Sequence, residues 1–232
     1  MRTLAIILAG GTGKRMGAST SKQFLLLDNK PLIVHTLQVF EECRTVDGIY
    51  LVVNQKDLPT IQEEILETYR FSKLIKIVIG GRLRQDSVKN GLEAIDSPCD
   101  IVVIHDGARP FVSPAFIEKG IYLMEMFDAI IPALPVKDTI KVISKEGFVV
   151  KTLERDSLWA VQTPQTFKFD LILKAYKEGM AKKVFGHDDA TFLEVMGKKV
   201  KVIEGSPYNM KITTPEDLVL AQGMLSQLKG AS

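Results

Sequence analysis

The sequence predicts an α/β protein, a Rossmann-like, doubly wound, mostly parallel sheet with a protruding β-hairpin arm. Three observations lead there. Short β-branched apolar runs alternate with amphipathic segments along most of the chain. A glycine-rich loop follows the first apolar run directly. One pair of strand-like runs, at 139–144 and 148–153, breaks the alternation with only Lys145-Glu146-Gly147 between them.

The apolar runs lie at 4–8, 49–53, 75–79, 101–104 and 129–133. They are nearly continuous rather than alternating, as expected of strands buried on both faces. Amphipathic segments at 31–42, 58–69, 87–95 and 114–126 separate them, and Pro31 and Pro114 suit first-turn positions of helices. Such alternation implies right-handed crossovers, with ligands bound at the carboxyl ends of the strands. Gly147 in a three-residue loop is a hairpin signal and defines the arm, at about 138–156. An isolated two-stranded hairpin is marginal in water, so the arm packs on something. Spacing alone leaves open whether that is its own domain or a partner subunit. Helices are expected near 169–178 and 188–196, a strand at 199–203, and a last helix from Pro215, with Thr214 as its cap and Glu216 and Asp217 in its first turn. With no repeat, linker or low-complexity tract, residues 1–232 read as a single domain carrying one arm.

Composition narrows the class. The 232 residues are 46% hydrophobic and 25% charged, ordinary for a soluble globular protein with a sizeable core. A net charge of +2 offers no general attraction to nucleic acid, so any anion site must be local. The apolar run at 3–9 is too short to cross a membrane and leads into glycines rather than a cleavage site, so it reads as a first β-strand, and a cytoplasmic protein is expected. Cys43 and Cys99 lack metal-ligand spacing and read as reduced thiols.

The loop after the first strand runs Leu8-Ala9-Gly10-Gly11-Thr12-Gly13-Lys14-Arg15-Met16-Gly17. A Walker loop would need glycine at Leu8 and a hydroxyl residue at Arg15; a dinucleotide fingerprint would need glycine at Met16 and an acid at Asn54. Backbone amides freed by the glycines, with Lys14 and Arg15 in the loop and Lys22 shortly after, point instead to an anion site.

Gly10-Gly11-Thr12-Gly13-Lys14-Arg15-Met16-Gly17 followed by Lys22-Gln23-Phe24 resembles the signature of sugar-phosphate nucleotidyltransferases. More narrowly, the chain resembles the 2-C-methyl-D-erythritol 4-phosphate cytidylyltransferase family of the non-mevalonate isoprenoid pathway. The likeness continues through Gly80-Gly81-x-x-Arg84-x-x-Ser87-Val88, His105-Asp106-Gly107-Ala108-Arg109-Pro110, Asp138-Thr139-Ile140-Lys141, Arg155-x-x-Leu158-Trp159, Gln162-Thr163-Pro164-Gln165, Asp188-Asp189-Ala190 and Asn209-x-Lys211. The resemblance implies transfer of CMP from CTP to the erythritol phosphate, with Mg2+ as cofactor and a homodimer formed through the arm. It assigns Arg15 and Lys22 to the α-phosphorus, and Arg155 and Lys211 to positioning the acceptor, so these four form the catalytic set. Ala9, Gly10, Gly11, Gly13, Gly81, Ser87 and Asp106 would bind the nucleotide. Asp106, Thr139, Arg155, Thr163, His187 and Lys211 would bind the acceptor.

The residues agree with that chemistry. A phosphate monoester has a second pKa near ~6 and attacks without a general base, so catalysis rests on cations and positioning. Asp106 at a carboxyl strand end suits polar substrate contact or magnesium, without identifying a direct metal ligand. Ser87 is expected to cap a helix as well as touch the nucleotide, and Gly81 and Arg84 to share the loop before it. His105 reads as a core residue. Ser21, Gly107, His187 and Thr191 stand where the family usually has proline, alanine, threonine and serine. The rival readings are a ribitol 5-phosphate cytidylyltransferase and a non-catalytic nucleotide-binding regulator.

Overall fold

The computed structural model describes residues 1–11 and 21–230, with side chains to 227. Its first strand, β1 (Thr3–Ala9), leads through a 3-10 turn (Lys22–Phe24) to a tight hairpin of β2 (Leu26–Leu27) and β3 (Lys30–Pro31). Asp28 and Asn29 both have positive φ there, as the two-residue turn of a hairpin demands. Helix α1 (Leu32–Glu42) follows, with Pro31 at its N-cap rather than inside its first turn. Next come β4 (Gly48–Val53) and a mixed helical stretch containing α2 (Leu58–Thr60), a π turn (Ile61–Ile65) and α3 (Leu66–Thr68). β5 (Leu74–Ile79), α4 (Arg84–Glu93), β6 (Ile101–Asp106) and α5 (Pro114–Tyr122) continue the alternation, and Ser113 caps α5 by accepting from the Phe116 amide at 3.2 Å. β7 (Ala129–Pro135) precedes the arm, which is β8 (Lys141–Ile143) paired with β9 (Val149–Thr152). The chain closes with β10 (Trp159–Val161), β11 (Gln165–Lys168), α6 (Phe169–Ala181), α7 (Ala190–Val195), β12 (Lys201–Glu204) and α8 (Pro215–Gly230).

The main sheet runs β10-β7-β11-β6-β1-β4-β5, with β12 also paired to β7. β5, β4, β1 and β6 are mutually parallel, and β11 runs antiparallel between β6 and β7. The apolar runs are unbroken because each strand feeds two cores. Ala5, Ile7, Leu51, Val53 and Val103 face α1 and the 58–68 stretch, while Leu4, Ile6, Val52, Val102 and Ile104 face α4, α6 and α7. The chain goes outward from β1 to β4 and β5, then returns across to β6. The strand order therefore switches between β1 and β6, and the crevice beyond their carboxyl ends is where an open sheet binds ligands.

The arm forms its own two-stranded sheet, with Gly147 at φ 90° in its turn. Phe148, Val149 and Val150 are 74%, 61% and 62% exposed, so its apolar face is uncovered within the chain.

Candidate active site

Four strand ends meet at the switch point. β1 delivers Ala9, Gly10 and Gly11, and Asn54 beyond β4 donates its side-chain amide to the Gly10 carbonyl at 2.6 Å. A Cβ on Gly11 would sit 3.1 Å from Lys22 Cε and 3.8 Å from Lys22 Nζ, so glycine lets the lysine lie across the start of the loop. Gly13 and Arg15 lie outside the described residues.

After β5, Gly80-Gly81-Arg82-Leu83 leads into α4. Ser87 does not open this helix; it occupies the fourth helical position. The cap is Leu83, extended at φ −109° and ψ 162°, whose amide donates to Asp86 Oδ2 at 3.0 Å. Arg84, expected in the loop, is the first helical residue. The acid three residues after Leu83 supplies the capping contact, which leaves the Ser87 hydroxyl to accept from the Gly81 amide at 3.1 Å and donate to the Leu83 carbonyl at 3.2 Å. Both amides are thus engaged within the loop. A Cβ on Gly81 would lie 2.3 Å from Asp86 Cβ and 3.2 Å from the Asp86 carbonyl carbon, so only glycine fits there.

Asp106 ends β6 inside a cage of cations. Arg84 Nε is 3.2 Å from Oδ1; Lys211 Nζ is 2.8 Å and Arg109 Nε 3.6 Å from Oδ2. Burial pushes the carboxyl up, but Arg84 and Lys211, then Arg109, outweigh it and hold Asp106 well below the usual carboxylate range. Arg84 directs its other two nitrogens at Asp189, at 2.8 and 2.9 Å, a bidentate pair with a fully buried carboxylate that also accepts from the Tyr176 hydroxyl at 2.6 Å. Burial works against the Arg84 charge, yet Asp189 and Asp106 raise its pKa well above the ordinary value. At Arg109 burial prevails over Asp106 and the pKa is lowered.

Thr163 locks the other side of Asp106. Its Oγ1 accepts from the Asp106 amide at 3.0 Å and lies 3.1 Å from His105 Nδ1. His105 Nε2 is 3.1 Å from the Arg109 carbonyl, which only accepts, so Nε2 carries the proton and Nδ1 accepts from the Thr163 hydroxyl. Burial lowers the His105 pKa to about 4, so the imidazole is neutral. Lys211 is held by its neighbours: Asn209 donates to the Thr163 carbonyl at 2.7 Å and its own carbonyl accepts from Arg109 Nη1 at 2.7 Å.

Two clefts share Arg84, Asp106 and Lys211. One, of about 280 Å³, is lined by Ala9, Gly10, Gly11, Lys22, Gly81 and Ser87. The other, of about 420 Å³, is lined by Arg109, Thr163, His187 and Asp188. His187 stands edge-on to Phe185 at 5.1 Å, and Asp188, one residue before the N-cap of α7, accepts from the Thr191 amide and hydroxyl at 3.1 and 2.7 Å. Among the described residues, the expected nucleotide and acceptor residues therefore converge on Asp106, with two exceptions. Thr139 and Arg155 are exposed at the foot of the arm, where Arg155 Nη1 donates to the Lys137 carbonyl at 2.9 Å and faces a separate hollow with Pro135 and Asp156. Sequence reasoning gave Arg84, Arg109 and Asp189 no part in the site. They stand within quoted motifs, but the Arg84–Asp189 pair spans 105 positions and leaves no local pattern.

The model of the 2-C-methyl-D-erythritol 4-phosphate cytidylyltransferase family matches residues 3–227. Among curated relatives, the enzyme of that name from Clostridium perfringens is 49% identical over 221 residues, covering 95% of this chain and 97% of the relative. That from Alkaliphilus oremlandii is 47% identical over 224 residues, covering 97% and 95%. The crystal structure of 4-diphosphocytidyl-2C-methyl-D-erythritol synthase from Anaerococcus prevotii superposes with a TM-score of 0.84 at 33% identity, over 97% of this chain and 96% of that one. The chain belongs to the 2-C-methyl-D-erythritol 4-phosphate cytidylyltransferase family.

Proposed function

We propose that this chain transfers CMP from CTP to 2-C-methyl-D-erythritol 4-phosphate, giving 4-diphosphocytidyl-2-C-methyl-D-erythritol and pyrophosphate in isoprenoid biosynthesis. The observation that carries the reading is Asp106 at the switch point, caged by Arg84, Arg109 and Lys211 between a glycine-lined cleft and a polar one. Family membership favours this acceptor over ribitol 5-phosphate, and an enzyme over a non-catalytic nucleotide binder.

In this reaction an oxygen of the acceptor phosphate attacks the α-phosphorus of CTP. The bond from that phosphorus to the bridging oxygen breaks, and pyrophosphate leaves with the electron pair. The attacking monoester is mostly dianionic at neutral pH, its second pKa being about 6, so no side chain needs to remove a proton. The work lies in bringing two anions together and stabilising charge at the α-phosphate. Lys22, with Arg15, serves the triphosphate, and Gly81 and Ser87 hold the cytosine nucleotide. Lys211, Thr163 and His187 hold the acceptor in the adjoining cleft, with Asp106 between the two substrates.

Among the described residues no cluster of three His, Cys, Asp or Glu side chains is placed to hold a metal. One carboxylate, Asp106, faces the cleft amid cations, a donor set that fits Mg2+ arriving on the triphosphate, since that ion takes one or two carboxylates plus phosphate oxygens. Asp106 and the CTP phosphates would hold it, and it would neutralise charge on the departing pyrophosphate.

Arg155 and Thr139 complete an acceptor site in a partner subunit. The arm that carries them has an uncovered apolar face of Phe148, Val149 and Val150, suited to burial against a second copy in a homodimer. No described helix is long and apolar enough to cross a membrane, and the enzyme works in the cytoplasm on soluble substrates.

Phosphorus NMR of the protein with Mg2+, CTP and each acceptor in turn tests the reading. Diphosphate-diester and pyrophosphate signals should grow with the erythritol phosphate, and far more slowly when UTP replaces CTP, because a donor–acceptor mismatch leaves buried polar groups unpaired. Equal rates with ribitol 5-phosphate, or no pyrophosphate with either acceptor, would refute it.

A further inference from the structure

We infer that Asp57, beyond the end of β4, is a positioning residue for Lys22. Its carboxylate grips the residues on both sides of that lysine. Ser21 Oγ donates to Asp57 Oδ1 at 2.7 Å, and Gln23 Nε2 donates to Oδ2 at 2.7 Å. Ser21, Gln23 and Asp57 are 4%, 2% and 6% exposed, so this clamp is closed to water. Asn54 joins it, donating to Asp57 Oδ2 at 3.4 Å and, with the same amide group, to the Gly10 carbonyl at 2.6 Å. The Asp57 amide in turn donates to the Asn54 carbonyl at 3.0 Å, which fixes the turn that presents the carboxylate.

The geometry ties three parts of the phosphate site to one rigid strand end: the glycine loop at Gly10, the residue before Lys22 and the residue after it. Lys22 sits in a 3-10 turn closed by the Phe24 amide on the Ser21 carbonyl at 2.9 Å and the Leu25 amide on the Lys22 carbonyl at 3.2 Å. Its backbone therefore has no slack, and its side chain starts from a fixed root beside Gly11. A lysine stem is otherwise flexible, and phosphoryl transfer gains only from a charge held within about 0.5 Å of its productive place. The three side chains that grip Asp57 are neutral donors, so the carboxylate is satisfied in a buried setting by hydrogen bonds that also organise the chain around the lysine.

This inference rests on the reading that Lys22 serves the triphosphate, and the test separates the two. Asp57→Asn keeps the shape but presents an amide hydrogen to a donor that needs an acceptor. Turnover of full-length protein with CTP, Mg2+ and the erythritol phosphate is measured by pyrophosphate release for Asp57→Asn, Lys22→Ala and the double variant. Displacing the lysine by an ångström should cost about 10- to 100-fold in kcat. With Lys22 gone only the long Asn54 contact still links Asp57 to the glycine loop, so Asp57→Asn should change the residual rate of Lys22→Ala by less than about 2-fold. Equal factors in both backgrounds, or wild-type kcat in Asp57→Asn with Lys22→Ala slow, overturn the positioning role alone. Wild-type kcat in Lys22→Ala overturns the reading beneath it and this inference with it. If Asp57→Asn does not fold, Ser21→Ala, which removes one donor and leaves the carboxylate, carries the same comparison, with a several-fold loss expected only where Lys22 is present.

Discussion

Replacing Arg84 with methionine should expose how much of the site is held by one buried ion pair. The substitution keeps most of the stem's bulk and removes three contacts: two to Asp189 at 2.8 and 2.9 Å and one to Asp106 at 3.2 Å. Asp189 is fully buried and its carboxylate would keep only the Tyr176 hydroxyl among the described residues, whereas Asp106 retains Lys211 and Arg109. Stranding a buried charge typically costs 3–5 kcal/mol, and since the Arg84 side chain is 27% accessible, water makes up part of the loss, giving about 3 kcal/mol. For a chain of this length that corresponds to a fall in Tm of about 6–12 °C. The check is a thermal melt at pH 7, followed by circular dichroism, on Arg84→Met, Asp189→Asn and the double variant. The double variant leaves no stranded carboxylate at Asp189, so its loss should be smaller than the two single losses added, by about 1–3 kcal/mol. A Tm within about 2 °C of wild type for Arg84→Met, or additive losses, would refute the reasoning.

Acid should weaken the fold through His105. Its folded pKa of about 4 lies below the ordinary 6.5, so between those values the unfolded chain binds the extra proton; this contribution is complete above pH 6.5 and is lost as pH falls toward 4. From pH 7 to 4.5 the urea midpoint of wild type should drop further than that of His105→Gln, by stability on the order of 2–3 kcal/mol, and parallel profiles would count against it. Gly81→Ala should raise KM for CTP at least about 10-fold with smaller change in acceptor KM, since the added methyl meets Asp86 Cβ at 2.3 Å; unchanged KM in initial-rate kinetics would contradict this. Arg155→Ala and Lys22→Ala chains, each inactive alone, should regain part of wild-type activity when co-refolded, because a mixed dimer has one intact site. Mixed dimers that form and stay inactive would place Arg155 in its own chain's site.

Much of the sheet was legible because burial on both faces writes itself into sequence. The runs that became β1, β4 and β6 are apolar without interruption, and a glycine after a short polar pair marked the turn of the arm. β10 and β11 were missed, being short and lying around Thr163 in a segment with no period of its own; they exist because β7 and β6 offer them edges. Ser87 was misread as a cap because a hydroxyl before an apolar run is the usual signal, whereas the helix starts at Arg84, Asp86 accepts from the Leu83 amide, and the serine is left to stitch the loop.

By itself the sequence determined the parallel α/β class, the glycine loop at the first strand end, the arm and the family, since periodicity, glycine placement and ordered motifs are local properties of the chain. The tertiary structure decided how those motifs act on one another. It set Asp106 among Arg84, Arg109 and Lys211, closed Arg84 onto Asp189, and put Asp57 on both neighbours of Lys22. It also left Arg155 at the foot of an exposed arm, away from that cage. Charges and hydrogen bonds act over a few ångströms in space, and apart from Arg109 and Asp106 the residues they join here are separated by tens of positions along the chain, so their pairing is settled only when the sheet brings its strand ends together.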